Sequence, residues 1–358
     1  MLWDALVRSC DTDAAHGLPP VVFAWGFSFR KRTFVRRFVG TKKVRFIRHG
    51  SQAEPGSALL LWGSTPAPAG LASDVMIIRL EDGFLRSVGL GADLTQPLSW
   101  VIDQRGMYYD ATQPSDLEHL LQNAEFSSEL LERAERLRTS VAESGLTKYN
   151  VGHGGWKRPD IGRQRVILVP GQVETDASIR FGALGIRTNR DLLQAVREAN
   201  RDAYVVYKPH PDVVAGLRAE GRGEADVRRW CDEMVPDVAM GEMLSAVDEV
   251  HVLTSLTGFE ALLRGRGVTC YGQPFYAGWG LTNDIMPVAR RSRRLSLSML
   301  IAGVLILYPI YVSRATGRFI TPEQAVDELV DWRESGVADL LSWRRAYRYI
   351  LRRIVHRP

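Results

Sequence analysis

The stretch RVILVPGQVETDASIRFG, Arg165–Gly182, is the part of the chain that indicates its fold most clearly. Four apolar residues, Val166–Val169, predict a buried strand that ends at Gly171, and polar residues follow. The same order recurs in AYVVYKPH (Ala203–His210), EVHVLTS (Glu249–Ser255) and GVTCYG (Gly267–Gly272), with helical stretches between the strands. This alternation predicts a parallel sheet with polar loops at the carboxyl ends of its strands.

The first half of the chain repeats the alternation. It contains a mainly helical stretch at Asp116–Gly145 and a Gly-rich, basic segment at Asn150–Gln164, which is the best candidate for a linker. Its predicted strands are Val21–Gly26, Lys43–Arg48, Ala58–Gly63 and Asp74–Gly83. We therefore expect an α/β fold with two Rossmann-like domains facing a cleft, at residues 1–155 and 156–300. Residues 301–358 are predicted to form C-terminal helices that pack back on the first domain or on a membrane surface.

Composition points to a soluble protein with anionic partners. Apolar residues make up 45% of the chain and charged residues 24%, and the net charge is +5. Cys10, Cys231 and Cys270 form no metal-binding spacing and favour a reduced, cytoplasmic setting, and the first residues lack the pattern of a signal peptide.

Two segments raise the question of membrane contact. Leu295–Val312 is nearly uncharged but interrupted by serines and Pro309, so a buried helix before a Pro-containing turn is favoured over a membrane hairpin or span. The tail, Asp331–Pro358, predicts a helix whose arginines form a solvated face or dock on an anionic membrane. These arginines are Arg344, Arg345, Arg348, Arg352 and Arg353.

The motif YKPHPD places Lys208, His210 and Pro211 at a strand end, where open α/β sheets bind nucleotides. The prolines around His210 stiffen the loop. With a pKa near working pH, this histidine could hydrogen-bond a phosphate or protonate a leaving phosphate.

The motif TSLTGFEALLRG begins where the next strand ends. Thr254, Ser255 and Thr257 lie at the predicted start of a helix, whose N–H groups and hydroxyls suit a phosphate. Glu260 lies within the first turn and could accept hydrogen bonds from ribose or a base, and an ordinary helix cap is the alternative.

The loop after Gly171 carries Gln172 and a carboxylate, Glu174 or Asp176, suited to nucleophilic attack at an anomeric carbon. Arg180 could pair with the carboxylate of an acidic sugar. A capping aspartate beside a solvated arginine is the alternative.

A second acidic element, RLEDGFLRSVG, lies in the first half. Glu81 and Asp82 follow a strand and precede Arg86, an order that suits acid–base work on an acceptor hydroxyl. No P-loop, HExxH or nucleic-acid module appears, so we expect no metal, no cofactor and no nucleic-acid partner.

These motifs, with LSWVIDQRGMYYDATQPSDLE, LTKYNVG and YGQPFYAGWGLTND, resemble the capsule polysaccharide biosynthesis family of the KpsC/LipA type over about residues 25–322. That family's members are retaining β-Kdo transferases that use CMP-Kdo, and they commonly carry two related modules. The resemblance implies a single module of GT-B-type architecture, with the acceptor on the N-terminal side and CMP-Kdo on the C-terminal side. It further implies a lipid-linked Kdo acceptor, capsule assembly proteins as partners, and a place in the cytoplasm or peripheral on the inner membrane.

The resemblance also assigns roles. His210 and Ser255 would hold the CMP phosphate, Glu260 the ribose, and Asp176 would be the nucleophile with Glu174 as second choice. Glu81 or Asp82 would engage the acceptor, while Lys208, Arg86 and Arg180 would bind phosphate or the Kdo carboxylate. A different sugar nucleotide, such as a UDP-sugar, and a non-catalytic glycan-binding or assembly module remain the alternatives.

Overall fold

The structure, a computed structural model, describes residues 18–40, 43–89, 96–148, 150, 152, 155–221 and 223–335. The strands are β1 Val21–Ala24, β2 Lys43–Phe46, β3 Ala58–Trp62, β4 Met76–Asp82, β5 Ser99–Asp103, β6 Val166–Pro170, β7 Tyr204–Lys208, β8 Glu233–Met234, β9 Glu249–Val252, β10 Gly267–Cys270, β11 Asn283–Asp284, β12 Pro309–Val312 and β13 Phe319–Ile320. The α-helices are α1 Phe29–Phe38, α2 Asp116–Asn123, α3 Ser128–Glu143, α4 Ala177–Gly182, α5 Asn189–Ala199, α6 Pro211–Val214, α7 Met240–Ala246, α8 Leu256–Leu262, α9 Leu297–Ile301 and α10 Pro322–Glu334.

The second half forms a six-stranded sheet in the order β11-β10-β9-β6-β7-β8, and every neighbouring pair is parallel. The central strand β6 is fully buried, as its apolar run predicts. Because β6 lies between β7 and β9, the loops after these three strands meet at one edge of the sheet.

The first half forms a seven-stranded sheet in the order β13-β12-β5-β4-β3-β1-β2. Strands β1 to β4 are parallel, but β4–β5, β5–β12 and β12–β13 pair antiparallel. The expectation of a purely parallel first sheet is therefore wrong. No helix is described between β4 and β5, and without a crossover helix the chain returns antiparallel.

The two sheets share one apolar core. Phe84, which follows β4, has its ring centroid 4.8 Å from that of Phe275 and 6.2 Å from that of Phe259 in α8. Tyr108 contacts the Phe275 ring edge to face at 5.7 Å. These aromatic contacts pack the loop after β4 against α8 and the segment that follows β10.

The segment Leu295–Val312 is a buried element of this core. It contains α9, a π-helical stretch Ala302–Leu307 and then β12, so Pro309 opens a strand where a turn was expected. Strand β12 pairs with β5, which returns the chain to the first sheet. Residues 301–335 thus contain two strands as well as α10, and not helices alone. The arginines named in the tail lie outside the described residues.

Among the helices that the structure describes, none combines the length and the apolar character that crossing a bilayer requires.

Candidate active site

The loops after β6 and β9 are tied together by Gln172. Its side-chain Nε2 donates to Thr254 Oγ1 at 3.1 Å, and its Oε1 accepts the backbone N–H of Thr254 at 2.9 Å. The Gln172 backbone is held in turn by the side chain of Asn189 at the start of α5. Gln172 and Thr254, both predicted to contact the donor, therefore also have a structural role, because their hydrogen bonds fix the two loops relative to each other.

His210 is the N-cap residue of α6, and Pro211 is the first residue of that helix. Its Nδ1 accepts the backbone N–H of Asp212 at 3.2 Å, so in the neutral ring the proton lies on Nε2. Burial lowers the pKa of His210 to about 4, and the charges of Lys148, Arg218 and Lys208 act in the same direction. The expectation of a pKa near working pH is wrong here. His210 is suited to donate a hydrogen bond from Nε2, not to deliver a proton.

Ser255 caps α8. Its hydroxyl accepts the backbone N–H of Thr257 at 3.2 Å and donates to Thr257 Oγ1 at 3.1 Å. The backbone carbonyl of Ser255 accepts the Tyr276 hydroxyl at 2.5 Å, and a Cβ on Gly258 would lie only 2.2 Å from that hydroxyl. The helix start predicted at Thr257–Gly258 begins one residue earlier, and close packing against Tyr276 fixes its position.

Glu260 lies in the second turn of α8, beyond the first turn that was expected, and is buried. Its Oε1 accepts the backbone N–H of Lys148 at 2.7 Å. Burial raises the pKa of Glu260, while this hydrogen bond and the charges of Arg264 and Lys148 oppose the rise. Glu260 therefore anchors the segment around Lys148, a contact that the sequence analysis did not foresee.

The two carboxylates after β6 differ in their surroundings. Glu174 Oε1 accepts the backbone N–H of Asn189 at 2.8 Å and thereby caps α5. Asp176 occupies the N-cap position of α4 but makes no capping hydrogen bond with the described residues of that helix. Burial raises the pKa of Asp176, opposed by the charges of Arg218 and Lys148. Of the pair, Asp176 is the carboxylate whose oxygens are not committed to a helix end.

The two cations predicted to bind phosphate or the Kdo carboxylate on this side, Lys208 and Arg180, differ in burial. The Lys208 ammonium is buried and donates to the carbonyl of Pro236 at 3.2 Å. Burial lowers the pKa of Lys208, against the charge of Asp237. Arg180 is exposed on α4 and its guanidinium lies 5.1 Å from the centroid of the Phe181 ring.

On the first sheet, Glu81 and Asp82 end β4 and have opposite pKa shifts. Asp82 accepts a hydrogen bond of 2.6 Å from Arg86, which is buried. Burial works against ionisation of Asp82, yet the Arg86, Lys148 and Lys31 charges leave its pKa below the usual value. Burial raises the pKa of Glu81 to about 7, and the Asp82 charge adds to the rise. Two adjacent carboxyl groups with separated pKa values are a typical acid–base arrangement.

Residues that the sequence analysis did not single out surround Glu81. The Lys31 ammonium on α1 lies 3.2 Å from the centroid of the Trp62 ring. A Cβ on Gly63 would lie 2.8 Å from Glu81 Oε2 and 2.7 Å from the Tyr109 hydroxyl, so only glycine fits there. Lys31 and Trp62 are far from Glu81 in sequence, and only the order of the strands brings them to it.

Lys148 joins the two sides of the site. Its backbone carbonyl accepts the N–H of Ser87, and its own N–H binds Glu260. The charge of Lys148 perturbs the pKa values of Glu81 and Asp82 on one side and of Asp176 and His210 on the other. The two sets of predicted residues therefore lie around one lysine. The LTKYNVG motif was the only sequence signal for this residue.

Within the described residues, no group of three or more His, Cys, Asp or Glu side chains could hold a metal ion.

Comparison with known proteins shows the family. A profile described as "Capsule polysaccharide biosynthesis protein" matches residues 57–151 and 157–319. The chain is 44% identical over 319 residues to the capsule polysaccharide modification protein LipA of Neisseria meningitidis, a match that covers 86% of this chain and 45% of LipA. It is 39% identical to the lipopolysaccharide-processing protein LpsZ of Rhizobium meliloti, covering 88% of this chain and 76% of LpsZ. The chain thus spans about half the length of LipA.

Two solved structures from Thermosulfurimonas dismutans share the fold. One is a KpsC β-Kdo 2,7 transferase, with a TM-score of 0.73, 43% identity and coverage of 87% of this chain and 98% of that one. The other is a KpsC β-Kdo 2,4 transferase, with a TM-score of 0.74, 30% identity and coverage of 88% and 98%.

Proposed function

The chain belongs to the capsule polysaccharide biosynthesis family of the KpsC/LipA type, and from that premise we propose that it is a retaining glycosyltransferase that moves Kdo from CMP-Kdo to a lipid-linked Kdo acceptor. The two structural relatives are both Kdo transferases, which supports Kdo as the transferred sugar. The observation that carries the proposal is Lys148, whose backbone bonds to Ser87 and Glu260 and whose charge acts on the pKa values of both the Glu81–Asp82 pair and the Asp176–His210 pair.

The loops after β6, β7 and β9 form the proposed donor side. His210 donates from Nε2 to a phosphate oxygen of CMP-Kdo, and as a neutral ring it does so across the whole physiological pH range. The hydroxyls of Ser255 and Thr257 at the start of α8 bind the same phosphate. The bridge between Gln172 and Thr254 keeps the loops in place during the reaction.

Asp176 is the proposed nucleophile. Its carboxylate oxygen bonds to the anomeric carbon of Kdo as the bond from that carbon to the CMP phosphate breaks, and CMP leaves with the electron pair. The acceptor hydroxyl then displaces Asp176 from the anomeric carbon. Each step inverts the configuration, so the two together retain it.

Glu81 is the proposed base of the second step. It takes the proton of the acceptor hydroxyl, for which a pKa of about 7 is well matched. Arg86 holds Asp82 anionic, and the negative charge of Asp82 keeps the pKa of Glu81 raised. Lys31 supplies a cation for the carboxylate of the acceptor Kdo. In this proposal the two sheets correspond to the acceptor and donor domains of a GT-B enzyme that works without metal or cofactor at the cytoplasmic face of the inner membrane.

The position of the new glycosidic linkage is inferred from the sequence identity to the two structural relatives. The chain is 43% identical to the 2,7 transferase and 30% identical to the 2,4 transferase, so we propose a 2,7 linkage. Nuclear magnetic resonance of the isolated product distinguishes the two.

The test is release of CMP when the protein is given CMP-Kdo and a Kdo-terminated glycolipid. We expect turnover that is insensitive to EDTA, and binding of the protein to CMP in preference to UMP. Binding of CMP or glycan without turnover would instead favour the non-catalytic module. Preference for UMP would replace the donor by a UDP-sugar.

A further inference from the structure

The positive charge of the chain is concentrated in one short stretch. Residues 28–49 contain nine Lys and Arg and no Asp or Glu. The whole chain has 46 basic and 41 acidic residues, so the 37 basic and 41 acidic residues outside this stretch sum to −4. The net positive charge therefore comes entirely from α1, β2 and the residues that border them.

Part of this stretch forms a basic surface with an aromatic tip. Phe29, the first residue of α1, is 86% exposed and the most exposed of the large apolar side chains that the structure describes. Arg32 and Arg36 follow at helical spacing, and their guanidinium groups lie 4.9 and 5.0 Å from the centroid of the half-buried Phe46 ring. Exposed Arg48 follows the end of β2. We call Phe29, Arg32, Arg36, Phe46 and Arg48 the α1 surface.

The α1 surface lies beside the candidate acceptor side. Parallel strands β1 to β4 end at the same edge, and Phe29 follows β1 just as Glu81 and Asp82 end β4. Lys31, two residues beyond Phe29, turns the other way and lies over Trp62 near Glu81. Helix α1 thus carries Lys31 on the face toward the acceptor part of the site and Phe29 on a face exposed to solvent.

We propose that the α1 surface docks on an anionic lipid bilayer, with the Phe29 ring inserted among the headgroups and Arg32, Arg36 and Arg48 against lipid phosphates. A basic helix face with an exposed aromatic side chain is the arrangement of an interfacial membrane helix. The anionic cytoplasmic leaflet complements the charge, and the docked bilayer lies next to Glu81, where a lipid-linked acceptor would have to arrive. The basic tail is not a suitable occupant of this surface, because both carry positive charge.

Vesicle co-sedimentation of the full chain tests the docking without any sugar nucleotide, so its failure is distinct from failure of the transferase proposal. The wild type should bind phosphatidylglycerol-containing vesicles and not pure phosphatidylcholine vesicles, and added salt should release it. Arg32→Gln with Arg36→Gln should weaken binding about 30-fold, since each basic residue near an anionic surface contributes about fivefold. Phe29→Ser should weaken binding by about tenfold or more, and this exposed position does not threaten folding.

The matched control is Arg136→Gln with Arg228→Gln, which makes the same charge change at two exposed arginines on other elements and should bind as the wild type does. The proposal is overturned if the wild type ignores anionic vesicles. It is equally overturned if both α1 variants bind normally while Arg344→Gln with Arg345→Gln and Arg348→Gln abolishes binding, which would move the docking to the tail.

Discussion

At the scale of the residue, the site depends on groups whose protonation is set by burial. The structure separates two adjacent carboxyl groups, one raised in pKa to about 7 and one held ionised by Arg86. It also gives a neutral histidine on the opposite side. None of these states follows from residue type alone, because each pKa is set by burial and by the charge of Lys148, which is distant in the chain.

The first prediction concerns pH dependence. Glu81 must be unprotonated to act as a base, so kcat/KM should fall as the pH drops below about 7. The positive charge of Lys31 lowers the pKa of Glu81, so in Lys31→Met that pKa should rise and the acid limb should move to higher pH. The measurement is the pH profile of kcat/KM with a soluble acceptor. Lys43→Met, at an exposed lysine of β2, is the control and should leave the limb in place. An unmoved limb in Lys31→Met would remove Glu81 as its source.

The second prediction concerns His210. Its Nε2 donates to phosphate in the proposal, whereas Nδ1 only caps α6. His210→Ala should weaken CMP binding about 10- to 100-fold, the usual range for a hydrogen bond to a charged group. His210→Gln carries an amide nitrogen near the position of Nε2 and should recover part of that loss, as calorimetry would measure. Equal losses in both variants would argue against a donor role for Nε2.

Some residues of the site could be predicted from sequence and others could not. Four predicted residues lie at or just after strand ends, namely Asp176, His210, Ser255 and Glu81. They could be predicted because strand ends meet at one edge of a parallel sheet. Lys31 and Lys148 lie on a helix and in a loop without a local pattern that indicates chemistry. The hydrogen bond from Lys208 to the Pro236 carbonyl could not be predicted either, because it depends on where a distant loop packs.

At the scale of the element, helix starts position the site, and α8 shows how tightly. Gly258→Ala would bring a Cβ to 2.2 Å from the Tyr276 hydroxyl, which is buried and hydrogen-bonded to Ser255. We expect a loss of about 1–3 kcal/mol in the free energy of unfolding and weaker CMP binding, because the start of α8 must shift. Urea denaturation measures the first and calorimetry the second. Gly155→Ala, which meets nothing within 4 Å, is the control and should behave as the wild type. Full stability of Gly258→Ala would show that this packing is looser than the geometry implies.

Strands were predicted better than their pairing. Each predicted strand of the parallel second sheet is present within a few residues, because apolar runs bounded by polar loops specify buried strands. Five strands were missed, namely β5, β8, β11, β12 and β13. The LSWVID run of β5 contributes only to the family resemblance, and β12 lies in an apolar segment whose pattern fits a helix equally well.

At the scale of the whole molecule, the two sheets are held together by a shared core and by a buried ion pair. Glu118 in α2 accepts a hydrogen bond of 2.8 Å from Arg291, whose side chain is buried, and also pairs with Arg290. Arg291 in turn donates to the carbonyls of Pro274 and Ala277. This cluster joins the first half of the chain to the segment that follows β10.

Removing one partner of that cluster should be costly. Glu118→Ala leaves the Arg291 guanidinium buried without its carboxylate, so we expect a loss of about 3–5 kcal/mol in the free energy of unfolding. Glu132→Ala breaks an exposed ion pair with Arg136 at 4.0 Å and should change the free energy of unfolding by about 1 kcal/mol or less. Both are measured by chemical denaturation. Similar effects for the two variants would mean that the cluster does not stabilise the fold.

The proposed transfer is tested most directly by measuring Kdo transfer by the wild type and by Asp176→Ala, with the CMP affinity of each determined in parallel. We expect the wild type to form a Kdo-extended glycolipid and to release CMP. Asp176→Ala should form no product while binding CMP within about threefold of the wild type, since Asp176 acts in the proposal on the sugar and not on the nucleotide. Transfer by Asp176→Ala at the wild-type rate would contradict the role of Asp176, and a wild type that binds CMP-Kdo and never transfers it would contradict the transferase.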